Sequence, residues 1–157
     1  MNLTPEDLQA FMDQHGIRGE IIHLDVPTPT VEAAALAVGA SVSQIIKSVL
    51  FLIAGGQPVL AIASGTARVD DRRIAAHFGV SRRSVKLADA DAVLRITGYP
   101  AGAVPPFGHP APLRTLIDPG VIRQPQIYGG GGSGHALVRL DPADIQRVTG
   151  AEVIPVQ

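Results

Sequence analysis

Cysteine and tryptophan are absent from this chain, aromatic residues make up only 4% of it, and 13 basic against 14 acidic side chains leave a net charge of −1. Without cysteine there is no disulfide, no thiolate metal site and no thiol nucleophile. With so few aromatics, the core of a 157-residue chain that is 46% hydrophobic must be built from Ala, Val, Ile and Leu. A charge near zero excludes the bulk electrostatic grip of a general nucleic-acid binder. Apolar runs such as Val49–Ala54 fall far short of the roughly 20 residues of a membrane span. The opening residues carry acidic side chains and no basic stretch, so no signal peptide is expected and a cytoplasmic location is the default. A mean hydropathy of +0.24 with 17% charged residues describes a folded chain, not a disordered one. The length fits one domain spanning residues 1–157.

What is present is punctuated clearly. Thr4-Pro5-Glu6-Asp7 opens a helix that Gly16 ends, with Leu8, Phe11 and Met12 on one face. Glu20 to Leu24 reads as a strand, Thr30 caps an Ala-rich helix to Val38, and Ser41 to Gln44 matches a capping box. Two apolar runs, Ile45–Ile53 and Pro58–Ala63, flank Gly55-Gly56-Gln57 as a hairpin. Further helices are expected from Asp70 or Asp71 to Phe78, from Asp89 to Thr97, and from Asp141-Pro142 to Val148. Strands are expected at Val85–Ala88, Arg114–Ile117, Gln126–Tyr128, Ala136–Leu140 and Glu152–Val156, with a turn at Asp118-Pro119-Gly120. Residues 99–112 hold too many prolines and glycines for a regular element. The pattern predicts a single mixed α/β domain with two glycine-rich loops.

One charge interrupts the first apolar run. Strand alternation puts Lys47 on the face of Val49, Phe51 and Ile53, the face expected to meet the core. An unpaired ammonium there costs several kcal/mol, so it must be paired, neutralised or open to a cleft, where it is ready to bind an anion or a carbonyl. The competing reading is a lysine that snorkels out at the strand's end.

The loop Gly98–Gly108 is stiff at its prolines and permissive at its glycines, a composition suited to aiming backbone N–H groups into a cleft. Gly129–Gly134 lacks the Gly-Lys-Ser/Thr ending of a phosphate loop and reads as a place of close backbone approach. His135 follows it at the head of a strand. His15, His23, His77 and His109 show no ligand spacing, so no metal is expected, and no cofactor motif is present. Neither Ser64 nor Ser133 sits in a nucleophile elbow. An enzyme built this way works by positioning and electrostatics.

The charge is unevenly spread: Arg68, Arg72, Arg73, Arg82, Arg83, Lys86 and Arg95 face only Asp70, Asp71, Asp89 and Asp91 within one segment. Such a patch can hold a few phosphates, or be a solvated helix face.

Four segments, in order, resemble the YbaK/EbsC family of aminoacyl-tRNA deacylases, a domain also found as the editing insertion of bacterial prolyl-tRNA synthetases. They are Ala34–Phe51 with its lysine-bearing strand, Pro58–Phe78, Thr97–Asp118 with a Gly-x-x-x-Pro loop at Gly102–Pro106, and Ile127–Ile145. The resemblance implies a YbaK-like α/β fold, a mixed barrel-like sheet flanked by short helices. It implies hydrolysis of the aminoacyl ester of a mischarged tRNA in trans, with tRNA(Pro) a candidate substrate and a tRNA synthetase a candidate partner. It implies that Lys47 is the essential residue, holding the phosphate of the 3′-terminal adenosine or orienting the ester. Ser48, Gly102, Ala103, Val104, Pro106, Gly132 and His135 are implied to line the substrate pocket. Arg82, Arg83 and Lys86, from the basic segment, are candidates for RNA contact. Where a cysteine-specific branch carries an acid, this strand has Leu137, which argues against a cysteinyl substrate. An ester to ribose is already activated, so such a pocket needs only to exclude wrong side chains and stabilise an oxyanion. The alternatives are a non-catalytic module that binds a tRNA end or nucleotide, and a partner domain of a synthetase.

Overall fold

In the computed structural model, which describes residues 2–157, eight strands form two sheets. The five-stranded sheet holds β2 (Ile46–Ile53), β3 (Gln57–Ser64), β4 (Val85–Leu87), β5 (Arg114–Ile117) and β8 (Glu152–Val153), in the order β4-β2-β3-β5-β8. Strand β2 is antiparallel to both its neighbours, β4 and β3, and β3, β5 and β8 run parallel. The three-stranded antiparallel sheet holds β1 (Glu20–His23), β7 (Ala136–Leu140) and β6 (Ile127–Gly130), in the order β1-β7-β6.

The turn chemistry acts as the sequence predicts. Thr4 and Asp7 form a reciprocal capping box at the head of α1 (Pro5–Gln14). Thr30 caps α2 (Val31–Val38), Asp70 caps α3 (Asp71–Phe78), Asp89 caps α4 (Ala90–Thr97) and Asp141 caps α6 (Pro142–Thr149). The Asp118-Pro119-Gly120 turn proves to be the start of a short helix, α5 (Pro119–Ile122). The buried Asp118 caps it by accepting from Gly120 N–H, and its other oxygen accepts from Val156 N–H at 2.8 Å. One carboxylate thus ties the end of β5 to the C-terminal segment.

Strand β3 is central and buried on both faces, which explains its unbroken apolar run. On one face Leu60 and Ile62 join the main core with Leu8 and Met12 of α1, Val93 of α4, Ile145 of α6 and Val138 and Leu140 of β7. On the other, Val59, Ala61 and Ala63 pack with Phe51, Ile53 and Leu116 against Ile74 and Ala75 of α3. The barrel-like sheet expected from sequence is open: a single bridge, Ile45 to Tyr128, joins the two sheets. Beside it the Gln44 side chain takes the Gln126 carbonyl, and the Ile45 carbonyl accepts from Gly65 N–H, so the ladder goes no further.

Candidate functional site

Strand β2 positions Lys47. Phe51 and Ile53, on the same face, are covered by α3, but that layer does not reach the start of the strand, and there the face opens on a cleft. The ammonium donates to the carbonyl of Ala67 in the β3–α3 connection. Partial burial and the neighbouring Arg68 charge both lower the Lys47 pKa below the ordinary 10.5. The lysine is thus half-sunk and open to solvent on one side, with its charge held in place.

Lys47 stands at the junction of two cavities and, among the described residues, is the one side chain that lines both. The smaller, about 190 Å³, lies between the chain at Thr28–Ala34 and the β6–β7 hairpin. Its walls are held together by backbone bonds: Leu24 N–H donates to the His135 carbonyl at 2.7 Å, and Thr28 N–H to that of Gly134 at 3.4 Å. Apolar atoms come from Val31, Ala34, Ile45, Ile46, Ala136 and Leu137, and hydroxyls from Thr28, Thr30 and Ser133. Thr30 Oγ1 is committed to the α2 cap and Ser133 Oγ accepts from His135 N–H. No carboxylate or imidazole belongs to this lining.

Gly102 closes the cavity on the side of the proline-rich loop. Its φ is +85°, in the left-handed region, and a side chain there would project into open space. Gly102 N–H has no protein acceptor among the described residues, so it is free to meet a ligand oxygen. The rest of the loop turns inward. Ala103, Val104, Pro106 and Phe107 are buried, and the loop's backbone lies directly on β6.

That contact revises the glycine run. Gly129 and Gly130, expected in a loop, belong to β6 and pair with Val138 and Leu137. A Cβ on Gly130 would lie 2.6 Å from the Val104 carbonyl oxygen, and one on Gly131 would lie 2.7 Å from the Ala136 carbonyl carbon. Only glycine lets these backbones approach so closely. Gly132, with φ +97°, is buried beside Pro5 and Tyr99 and donates to the Ala103 carbonyl, away from the cavity.

Of the residues named from sequence, then, Lys47 and Gly102 come together in the smaller cavity. Ser48 points to the opposite face of β2, and Ala103, Val104, Pro106 and Gly132 support the site from behind. His135 is exposed beyond the cavity rim. Thr28, Thr30, Ser133 and Gly134 line it and were not singled out from sequence; their signal there is that of ordinary caps and turns.

The larger cleft, about 740 Å³, lies on the α3 side of Lys47, with Val49, Phe51, Val69 and Leu87 as apolar surface and Arg68, Arg72 and Arg82 around it. Arg82 is paired with Asp71 at 2.9 Å. Lys86 lies on the other face of β4 from Leu87, so the basic segment does not form a single patch. Among the described residues no group of three or more His, Asp or Glu is placed to hold a metal, and no helix is long and apolar enough to cross a membrane.

These features have counterparts in known proteins. The profile of the aminoacyl-tRNA editing domain matches residues 25–148, which include Lys47 and the whole lining of the smaller cavity. The multifunctional Ser/Thr-tRNA deacylase ProXp-y of Escherichia coli K12 is 28% identical over 98% of this chain and 92% of its own length. The uncharacterised protein YwhH of Bacillus subtilis is 26% identical over 96% of this chain and 94% of its own. A solved structure described as that of a candidate trans-editing enzyme for prolyl tRNA synthetase superposes with a TM-score of 0.90 at 30% identity, covering all of this chain and 98% of that one. The chain belongs to the aminoacyl-tRNA editing domain family and is a trans-editing deacylase, an ester hydrolase whose substrate is mischarged tRNA.

Proposed function

We propose that the smaller cavity receives a small, hydroxyl-bearing aminoacyl group, seryl or threonyl, esterified to the 3′-terminal adenosine of tRNA, and that Lys47 at its mouth holds the ribose-phosphate end of the ester. The observation that carries this reading is the lining: about 190 Å³ with three hydroxyls among short aliphatic groups and no ionisable side chain except Lys47. The E. coli relative is named for seryl- and threonyl-tRNA, which agrees with that chemistry.

Hydrolysis needs a water, a means of stabilising the tetrahedral oxyanion, and exclusion of larger side chains. The Gly102 N–H, next to the substrate space and unpaired within the described residues, is the oxyanion donor. No side chain in the cavity is a general base, so the water is set by the Thr28 and Ser133 hydroxyls and by the substrate's own vicinal ribose hydroxyl. Short aliphatic walls discriminate by size, and a methylene too many costs about 1–3 kcal/mol in such a pocket. With a prolyl tRNA synthetase named in the description of a close structural relative, tRNA(Pro) is the first substrate to try and the synthetase the first partner. A substrate on tRNA supports a cytoplasmic location.

The test is a deacylation panel on one tRNA body carrying seryl, threonyl, alanyl, prolyl and isoleucyl esters. Rapid turnover of the seryl and threonyl esters with little of the isoleucyl ester is expected. Equal rates across the panel would refute size and hydroxyl selection, and binding without turnover of any ester would return the chain to the class of tRNA-end binding modules.

A further inference from the structure

The smaller cavity accounts for the ester but leaves unassigned a cleft of about 740 Å³ beside it. That volume is within the range of about 300–1,000 Å³ typical of ligand sites. Three observations bear on its occupant. It is contiguous with the ester site through Lys47, so a strand whose 3′ end enters the smaller cavity and passes Lys47 arrives here. Its charge is cationic: Lys47, Arg68, Arg72 and Arg82 against Asp70 and Asp71. Both acids are engaged, Asp70 as the α3 cap and Asp71 with Arg82, whereas Arg68 and Arg72 are exposed and unpaired among the described residues. Its third feature is apolar: Leu87 is 67% exposed at the rim, and Val49 and Phe51 line the floor.

We infer that this cleft binds the two unpaired nucleotides that immediately precede the terminal adenosine, with Arg68 and Arg72 on their phosphates and a base laid on the Leu87 and Val49 side chains. The inference rests on the proposal that the ester occupies the smaller cavity. Alternating charge and apolar surface is what a single strand requires, since its phosphates and unstacked base faces are both available, whereas a duplex hides its bases. Arg68 and Arg72 line the same cleft as Lys47, so the cations lie along the path a strand would take out of the smaller cavity. Arg82 is held back by Asp71 and plays the smaller part.

The experiment compares seryl-tRNA, the seryl ester of the trinucleotide CCA and seryl-adenosine as substrates for the wild type and for the Arg68→Ala/Arg72→Ala variant, with Leu87→Ala alongside. All three residues are exposed, and an unchanged melting temperature confirms the fold. For the double variant KM should rise about tenfold or more on the tRNA and on the trinucleotide ester, kcat should be nearly unchanged, and seryl-adenosine should be unaffected. The slope of log KM against log salt should fall by about 0.7 for each phosphate that the variant no longer neutralises. Binding of uncharged CCA, followed by fluorescence anisotropy, should weaken several-fold in Leu87→Ala. Equal effects on the trinucleotide and adenosine esters, or competition by a blunt RNA duplex as strong as that by CCA, would overturn the inference while leaving the editing assignment intact. If no ester is turned over, the editing proposal fails, and the binding series still decides the cleft: weaker CCA binding by the arginine variant supports it, and affinity absent or unchanged refutes it.

Discussion

Gly130→Ala is the most incisive perturbation, because it adds one methyl group where the structure has only backbone to receive it. The new Cβ would stand 2.6 Å from the Val104 carbonyl oxygen and 2.7 and 2.8 Å from the carbonyl carbon and oxygen of Ala103. No flexible side chain is there to give way, so the loop must lift off β6. That loop is anchored on both sides of the contact: Ala103 N–H donates to Pro100, the Ala103 carbonyl accepts from Gly132 at 3.0 Å, and Tyr99 and Phe107 are buried. Overpacking of a fixed site costs about 1–3 kcal/mol. At about 2–4 °C per kcal/mol for a chain of this size, the melting temperature should fall by about 2–12 °C. Gly102 adjoins Ala103, so the lifted loop carries the oxyanion donor with it. A displacement approaching 1 Å costs about 10²-fold in rate, and kcat on seryl-tRNA should fall between tenfold and a hundredfold. Gly134→Ala, with no atom within 4 Å of the new Cβ, is the control for stability and should leave the melting temperature unchanged. The assays are calorimetric melting and single-turnover deacylation. A Gly130→Ala protein that melts and turns over like the wild type would refute the claim that this backbone contact sets the loop.

Lys47→Met should abolish detectable deacylation yet melt no lower than the wild type, since it removes a half-buried ammonium. Because the folded-state pKa is lowered below 10.5 while the unfolded chain keeps the ordinary value, the unfolded state binds more protons between the two. Wild-type stability therefore rises with pH across that alkaline window, the rise should vanish in Lys47→Met, and pH-dependent denaturant melts check it. Thr28→Val and Ser133→Ala, which remove hydroxyls that set the water, should slow seryl, threonyl and alanyl turnover alike, with the largest loss of kcat/KM for the two hydroxyl-bearing esters. Val104→Ala, at a position the resemblance implied would line the pocket, should instead cost about 1–3 kcal/mol of stability in urea melts with the substrate ranking unchanged, because the side chain is buried in the main core.

Local chemistry made most of the fold legible. Helix starts were written in Thr4, Thr30, Asp70, Asp89 and Asp141, whose side chains satisfy amide groups a few residues away, and helix stops in Gly39, Gly79, Gly98 and Gly150, all in left-handed conformation. Such signals act within four residues and need no knowledge of the rest. The failures lie where a distant segment decides. Gly129 and Gly130 look like a loop until Val138 and Leu137 pair with them and the proline-rich loop covers them. Asp118 looks like a turn residue until Val156 arrives as a second donor.

The site divides along the same line. Lys47 was visible because a charge in an apolar strand is costly wherever the chain goes, and alternation alone fixed its face. The same alternation puts Ser48 on the other side of the sheet, so that adjacency in sequence is separation in space. Thr28, Thr30 and Ser133 left no such trace: each has an ordinary local role, and their convergence depends on the 130s hairpin folding over the 20s, about a hundred residues away in the chain. Arg68 and Arg72 belonged to a basic segment whose net charge was legible but whose sorting was not. The strand register sends Lys86 to one face and Leu87 to the other, and Asp71 occupies Arg82. What distinguishes a nucleotide cleft from a solvated helix face is therefore not how many cations a segment carries. It is which of them remain unpaired beside exposed apolar surface at the mouth of the ester site, and Arg68 and Arg72 meet that condition.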